Sequence, residues 1–170
     1  ARLRDAEVMD VDEEAYRQND LKTRLFGIAR TPAAPGRVQV SKQVYEAADE
    51  GRAKIDIAQF IDEILLPDRL YIIGAGTTTG AITRRLGIAK TLLGVDAIRN
   101  HRLVVADCDE KTLLALAEKF PDTRIIISPI GAQGFILGRG NQQISAALVR
   151  KVGIKNIIVV ATPHKLAELP

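Results

Sequence analysis

The hydrophobic residues in the second half of the chain occur in short runs that are separated by segments of helical period. The runs are LYIIG, TLLGV, RIIIS and NIIVVA, and each has the length and apolar content of a strand that is buried on both faces. Residues 99–106 predict a further strand after a turn at Asn100, and the spacing between the runs predicts helices at 78–86, 109–119 and 144–151 and a last turn near His164. This alternation predicts an α/β fold with a mainly parallel sheet and flanking helices.

The first part of the chain has a different pattern. Residues 6–30 contain two strand-like stretches on either side of a turn at QND, which predicts a hairpin or two edge strands. The stretch TPAAPG ends this part, and apolar residues at helical spacing follow over 41–66. We therefore divide the chain into a short β-rich segment of a larger fold at 1–40, a helical connector at 41–68 and an α/β domain at 69–170.

The composition is that of a soluble globular protein, because 46% of the 170 residues are hydrophobic and 26% are charged. The net charge of +3 is spread along the chain, so we expect no nucleic-acid partner, whereas small anions remain suitable ligands. Cys108 is the only cysteine and no apolar run is long enough to span a bilayer, which predicts a cytoplasmic protein without a membrane partner. A homo-oligomer is compatible with this composition. The chain begins at Ala1 in a strand-like stretch, so we expect it to be a fragment of a longer protein.

The loop after the first apolar run has the composition of an anion site. Gly74 and Gly76 allow the backbone to turn and to approach a ligand, and Thr77, Thr78 and Thr79 place hydroxyls beside the free N–H groups of the next helix. No Lys follows the glycines, and their spacing is not that of the dinucleotide fingerprint. A helix cap with glycines for tight packing explains the same residues, so the spacing leaves both interpretations open.

Acidic residues and possible metal ligands give a weaker signal. The run TLLGV ends at Asp96, which predicts a carboxylate at the same edge of the sheet, able to bind a ribose hydroxyl, a metal or an ammonium group. An Asp in this position is more often a turn or cap residue, and Asp109 is predicted to be a helix N-cap. Cys108, His101 and His164 lack the spacing of metal ligands, so we predict no metal site formed by the chain itself.

The most unusual segment, SPIGAQGFILGRGNQQIS at 128–145, combines four glycines with several side-chain amides. Amides can read the donor and acceptor edges of a base or a sugar, and Arg139 can bind a phosphate through two parallel hydrogen bonds. The alternative is a pair of glycine-rich turns whose amides bond their own backbone. We favour the binding interpretation, and its candidate residues are Gln133, Gly134, Arg139, Asn141 and Gln142.

Four stretches in this order, GAGTTTGAI, TLLGVDAIR, SPIGAQGFILGRGNQQIS and NIIVVAT, resemble the C-terminal part of the ATP-NAD kinase family. With RLFGIARTPAAPGRVQ upstream, the resemblance extends over 6–170. It implies an enzyme that phosphorylates the adenosine 2′-hydroxyl of NAD to make NADP, with ATP or polyphosphate as the donor and Mg²⁺ as the metal. It also implies a site for this small-molecule nucleotide at Gly74, Gly76, Thr77, Thr78, Gly94, Asp96, Gln133, Gly134, Arg139, Asn141 and Gln142.

One departure from the family's pattern concerns catalysis. The family carries a GGDG motif whose Asp is associated with catalysis, and GGDG does not occur in this sequence. We therefore expect the C-terminal region of a NAD kinase, which contributes nucleotide binding, is inactive alone and has its catalytic residues elsewhere. The alternative is a sugar-phosphate-binding sensor or an isomerase-like domain. That class uses a similar glycine and threonine loop for phosphate but leaves the amide-rich segment unexplained.

Overall fold

The computed structural model describes residues 2–11, 23–33, 48–129, 135–138 and 140–167. The chain forms two compact units, Ala1–Tyr45 and Glu46–Pro170. In the first unit, β1 (Arg2–Val11) and β2 (Thr23–Ala33) pair as antiparallel strands. This pairing confirms the hairpin that the strand-like pattern predicts, and the turn predicted at QND lies outside the described residues.

The second unit contains a sheet and the helices that cover it. The helices are α1 (Ala48–Ile64), α2 (Thr77–Arg85), α3 (Glu110–Lys119), α4 (Ala146–Val152) and α5 (Pro163–Ala167). The strands are β3 (Leu70–Ile73), β4 (Asp96–Arg99), β5 (Arg102–Val105), β6 (Thr123–Ile127) and β7 (Ile157–Val159). In the described part of the chain, no helix is long and apolar enough to cross a membrane.

The sheet has the order β5-β4-β3-β6-β7 and is mixed. Strands β3, β6 and β7 are parallel, whereas β4 is antiparallel to both β3 and β5. The predicted α/β fold is thus confirmed. The prediction of a mainly parallel sheet fits only in part, because two of the four strand pairings in this sheet, β3 with β6 and β6 with β7, are parallel. The reversal between β4 and β5 is local, because Asn100 and His101 have φ of 51° and 55°, the left-handed conformation of a tight two-residue hairpin turn. The antiparallel pairing of β3 with β4 joins segments that are more distant in the sequence.

The run TLLGV is not a strand, contrary to the sequence-based expectation. Residues 91–95 form a loop that brings the chain from α2 to the start of β4. Because β4 is antiparallel to β3, its first residue, Asp96, pairs with Ile73, the last residue of β3. The beginning of β4 therefore lies at the edge where β3 ends.

The central strands β3 and β6 are buried on both faces, which explains why they are continuous apolar runs. Leu70, Ile72 and Ile125 face a core formed with α3 and α4. Tyr71 and Ile73 face a second core formed with α1 and α2. These two cores define an α3/α4 face and an α1/α2 face of the sheet.

Local sequence signals determine where the helices start. Asp109 caps α3 by accepting a hydrogen bond from the Thr112 N–H at 2.8 Å, as its predicted N-cap role requires. Ser145 caps α4 in the same way, through the Leu148 N–H at 3.3 Å. Helix α2 differs from both, because its N-cap is Gly76 and no side chain bonds its first turn.

Candidate functional site

The connections that follow two neighbouring parallel strands leave the sheet on opposite faces. Strand β3 leads to α2 on the α1/α2 face, whereas β6 leads through residues 128–145 to α4 on the α3/α4 face. In open α/β sheets, such a divergence leaves a crevice at the carboxyl ends of the strands, and ligands bind there. The glycine and threonine loop and the amide-rich segment both begin at this crevice.

The first turn of α2 has the properties of an anion site. Gly76 has φ of 115°, which favours glycine, and its N–H donates to the Leu92 carbonyl at 2.9 Å. In the first turn of a helix, the next N–H groups, those of Thr77, Thr78 and Thr79, have no acceptor within the helix. No acidic residue lies in this turn, so no carboxylate of the turn itself neutralises the positive end of the helix dipole.

The three threonines of the loop have different environments. The Thr79 hydroxyl donates to the Gly74 carbonyl at 2.7 Å and therefore holds the loop together. Thr78 is fully buried, and its hydroxyl has no hydrogen-bond partner. Leaving a buried hydroxyl unpaired costs about 1 to 3 kcal/mol. A ligand that accepts a hydrogen bond from Thr78 would remove this penalty. Thr77 is partly exposed at the start of the helix.

Asn141 joins the amide-rich segment to the glycine loop. Its Oδ1 accepts a hydrogen bond from the Ala75 N–H at 3.0 Å, and its Nδ2 donates to the Ile136 carbonyl at 3.3 Å. A Cβ on Gly74 would come within 2.8 Å of Ile127 and 3.2 Å of the Asn141 amide oxygen, so this approach requires glycine. The structure thus brings together two motifs that are more than 60 residues apart in sequence.

Two described amides of this segment, those of Asn141 and Gln142, bond the main chain in the way that the alternative interpretation describes, whereas the buried amide oxygen of Gln143 has no hydrogen-bond partner. Asn141 is fully buried between two backbone segments, and the exposed Gln142 accepts a hydrogen bond from the Gly140 N–H at 3.0 Å. Gln133, Gly134 and Arg139 lie outside the described residues, so their predicted contact with a ligand stays a prediction. Among the described members, Asn141 positions the glycine loop rather than facing a ligand.

Asp96 lies at the expected edge, and its carboxylate points into the protein. It is fully buried. Its oxygens accept hydrogen bonds from the Thr91 N–H (3.0 Å), the Thr91 hydroxyl (2.8 Å) and the Asp107 N–H (2.7 Å). Both oxygens are thus paired within the protein, and the predicted contact of Asp96 with a ribose hydroxyl, a metal or an ammonium group stays a prediction. The carboxylate closes the loop that precedes β4.

A buried lysine completes this network and was not identified from the sequence. Lys90 Nζ lies 3.7 Å from the Asp96 carboxylate and donates to the carbonyls of Thr91 (2.6 Å) and Gly94 (2.9 Å). Burial lowers the pKa of Lys90, and the neighbouring Asp96 opposes this shift. A Cβ on Gly94 would come within 2.1 Å of the Thr91 hydroxyl. Gly94, predicted as a site residue, thus has a packing role here.

The single cysteine lies beside the same network. Cys108 is buried, and its N–H donates to the Val95 carbonyl at 2.7 Å. Burial, with a smaller contribution from Asp96, raises the pKa of the Cys108 thiol to about 11. A thiol with this pKa is protonated at neutral pH and is a poor nucleophile. Cys108 therefore fills space in the core, as expected.

The structure adds a cation at the crevice. Lys165, on α5, donates from Nζ to the Ser128 hydroxyl and to the Pro129 carbonyl, both at 3.0 Å. Ser128 directly follows β6, the strand whose Ile126 pairs with Ile73 at the end of β3. This contact could not be predicted from the sequence, because a single lysine near the C-terminus is usually a surface residue and only the strand order brings α5 to the end of β6.

Two cavities lined by described residues lie away from this crevice. A groove of about 580 Å³ between α1 and α2 is lined by Gly51, Lys54, Ile55, Ala58, Ala81, Arg84 and Arg85. A second cavity of about 540 Å³ lies at the β4–β5 hairpin and includes Arg99, Arg102 and Phe120. Within the described ranges, no group of three or more His, Cys, Asp and Glu residues is placed to hold a metal ion.

Comparison with known proteins gives one match. Residues 66–169, more than half of the chain, match the family model described as the ATP-NAD kinase C-terminal domain. The matched range begins just before β3 and includes the glycine loop, the Asp96 network, the amide-rich segment and α5. No curated protein and no solved structure matches the chain.

Proposed function

Because this chain belongs to the ATP-NAD kinase family through its C-terminal domain, we propose that its α/β unit binds the phosphates of a nucleotide at the first turn of α2. In this proposal, the chain is the nucleotide-binding part of a cytoplasmic NAD kinase, which uses ATP or polyphosphate to convert NAD into NADP. The ligand is a small-molecule nucleotide.

The observation that carries the proposal is the uncapped start of α2 at the diverging strands β3 and β6. The first turns of α3 and α4 are capped by Asp109 and Ser145, whereas the first turn of α2 has no side-chain cap and no acidic residue. The buried, unpaired hydroxyl of Thr78 lies in this same turn. A phosphate would accept hydrogen bonds from the free N–H groups and from this hydroxyl, and it would interact favourably with the helix dipole.

Lys165 is the candidate cation among the described residues. Its ammonium group donates to the Ser128 hydroxyl and to the Pro129 carbonyl at the end of β6, and β6 is the strand next to β3. An ammonium group in this position would offset the charge of a phosphate bound at the start of α2. Arg139 remains a second candidate from the sequence.

Phosphoryl transfer depends mainly on positioning and on charge stabilisation, and the described residues can supply both for the nucleotide. Asn141 holds the Ala75 N–H, and the Asp96 network fixes the loop whose Leu92 carbonyl binds Gly76. In the part of the chain that the structure describes, no group of three or more His, Cys, Asp and Glu residues could hold a metal ion, and the Asp96 carboxylate is buried. We therefore assign no metal ligand and derive no step through the metal.

The proposal is tested by calorimetric titration of the chain with ADP, NAD and glucose 6-phosphate. We expect ADP and NAD to bind, and the Lys165→Met variant to bind ADP about tenfold more weakly, because a charge-assisted hydrogen bond is lost. Lys155→Met is the matched control, since Lys155 is exposed in the short turn before β7, and its affinity should be unchanged.

Three outcomes of this titration would count against the proposal. The absence of ADP and NAD binding would contradict it directly. Binding of glucose 6-phosphate alone would favour a sugar-phosphate-binding domain. Equal ADP affinities of the Lys165 and Lys155 variants would remove Lys165 from the phosphate site.

A further inference from the structure

A buried carboxylate near the end of β7 has one oxygen that the protein leaves unpaired. Glu50, in the first turn of α1, accepts a hydrogen bond from the Thr162 hydroxyl on Oε1 at 3.0 Å. Lys54 Nζ lies 3.8 Å from the same oxygen. The other oxygen, Oε2, is buried and has no hydrogen-bond partner, and the side chain is only 11% exposed. The carboxylate is thus oriented by its bonded oxygen, and its second oxygen is available as an acceptor.

Hydrogen bonds connect this carboxylate to the proposed phosphate site. Thr162, which bonds Glu50, also accepts from the Lys165 N–H at 3.4 Å, and the Lys165 side chain reaches Ser128 at the end of β6. Helices α1 and α2 pack on the same face of the sheet. Glu50 is therefore connected, through Thr162 and Lys165, to the end of β6, the strand next to β3.

We propose that Glu50 accepts a hydrogen bond from a ribose hydroxyl of the nucleotide whose phosphates bind at the start of α2. This inference rests on the proposed function, and it adds a sugar-recognition residue to it. An oriented carboxylate is a strong acceptor for a hydroxyl, and a Glu or Asp that bonds ribose is a recurrent solution in nucleotide sites on parallel sheets. A buried carboxylate oxygen without a partner is costly, and the ribose hydroxyl would pair it. Since Oε2 is sheltered from water, neighbouring side chains must move aside when the nucleotide enters.

A structural role makes a different prediction. An acidic residue in the first turn of α1 stabilises the helix dipole, and its bond to Thr162 ties α1 to the end of β7. If this were its whole role, replacing Glu50 would lower the melting temperature and would leave the preference among ligands unchanged.

The test compares ADP with 2′-deoxy-ADP and 3′-deoxy-ADP by calorimetric titration. We expect the wild-type chain to bind ADP about tenfold more tightly than one of the two deoxy analogues. In Glu50→Gln, this preference should fall to less than about twofold. The Thr162 hydroxyl donates to the remaining oxygen, so the new NH₂ group would take the position of the free acceptor. Glu63→Gln is the matched control, because Glu63 is exposed on α1 and bonds Gln59.

Two results of this titration would overturn the role of Glu50 alone, and a third would also overturn the proposed function. Equal affinities for the three nucleotides in the wild-type chain would overturn the role of Glu50 and leave the phosphate site intact. Tenfold discrimination that survives in Glu50→Gln would also overturn it. A failure of ADP itself to bind would overturn both this inference and the proposed function. The wild-type comparison needs no variant, so it remains decisive if Glu50→Gln does not fold.

Discussion

Replacing Asp96 with Ala is expected to lower the free energy of unfolding by about 3 to 5 kcal/mol, the usual cost of removing one partner from a buried ion pair. Asp96 is fully buried, and the side chain of its partner Lys90 is 3% exposed. The variant would retain a buried ammonium group without its counter-charge. It would also leave the N–H groups of Thr91 and Asp107 without the acceptor that they use now. Urea unfolding followed by circular dichroism measures the difference.

Two controls identify the buried cation as the origin of this loss. The double variant Asp96→Ala with Lys90→Met should recover most of the stability, because it removes the unpaired charge and keeps the volume of the side chain.

Raising the pH should also reduce the loss of stability in Asp96→Ala. Burial lowers the pKa of Lys90 and Asp96 raises it, so the pKa falls further in Asp96→Ala. The unfolded chain then binds the proton more tightly than the folded chain, and stability rises with pH up to the unfolded pKa of 10.5. A single variant within about 1 kcal/mol of wild type would refute the structural role of this pair.

Replacing Thr77 with Asp is expected to weaken ADP binding by at least about 30-fold, or about 2 kcal/mol. The new carboxylate would lie in the first turn of α2, where it would repel a phosphate and occupy the positive end of the helix. The same change should leave the fold intact or stabilise it by about 0.3 to 1 kcal/mol, because an acidic residue in the first turn interacts favourably with the helix dipole. Calorimetric titration and thermal unfolding measure the two effects separately.

The matched control is Thr77→Asn, which has nearly the same size as the Asp variant and no charge. We expect it to bind ADP within about threefold of wild type, a difference below 1 kcal/mol. Equal losses in the Asp and Asn variants would mean that the hydroxyl or the shape of Thr77 matters, and that charge at this helix end does not. Unchanged binding in Thr77→Asp would place the phosphate elsewhere.

The parts of the fold that local sequence determines were predictable. Helix α2 was expected at 78–86 and spans Thr77–Arg85, and the Asp109 cap of α3 could be identified from one residue and the pattern after it. The direction of β4 could not be predicted in this way. An apolar run such as TLLGV has the composition of a buried strand, and only its environment shows that it is a loop that wraps around Asp96. Strand direction depends on pairing between distant segments, which periodicity does not report.

The candidate site was predictable in its motifs but not in the roles of its residues. The glycine and threonine loop could be identified because its composition is unusual, and the contact between Asn141 and Ala75 brings it to the amide-rich segment. The burial of Asp96 could not be foreseen, because it depends on Lys90, a residue type that is usually exposed. Glu50 and Lys165 were missed for the opposite reason. Each is one charged residue on a helix, and only contacts between distant segments show its position: Lys165 reaches Ser128 after β6, and Glu50 bonds Thr162 after β7.

Binding of a phosphate at the start of α2 is tested residue by residue by an NMR titration of the ¹⁵N-labelled chain with ADP, observed at the backbone amides. We expect the largest shifts at Thr77, Thr78 and Thr79, saturation with one equivalent of ADP, and loss of these shifts in Thr77→Asp. Shifts concentrated instead at Lys54, Arg84 and Arg85, in the groove between α1 and α2, with no change at the three threonines, would contradict it.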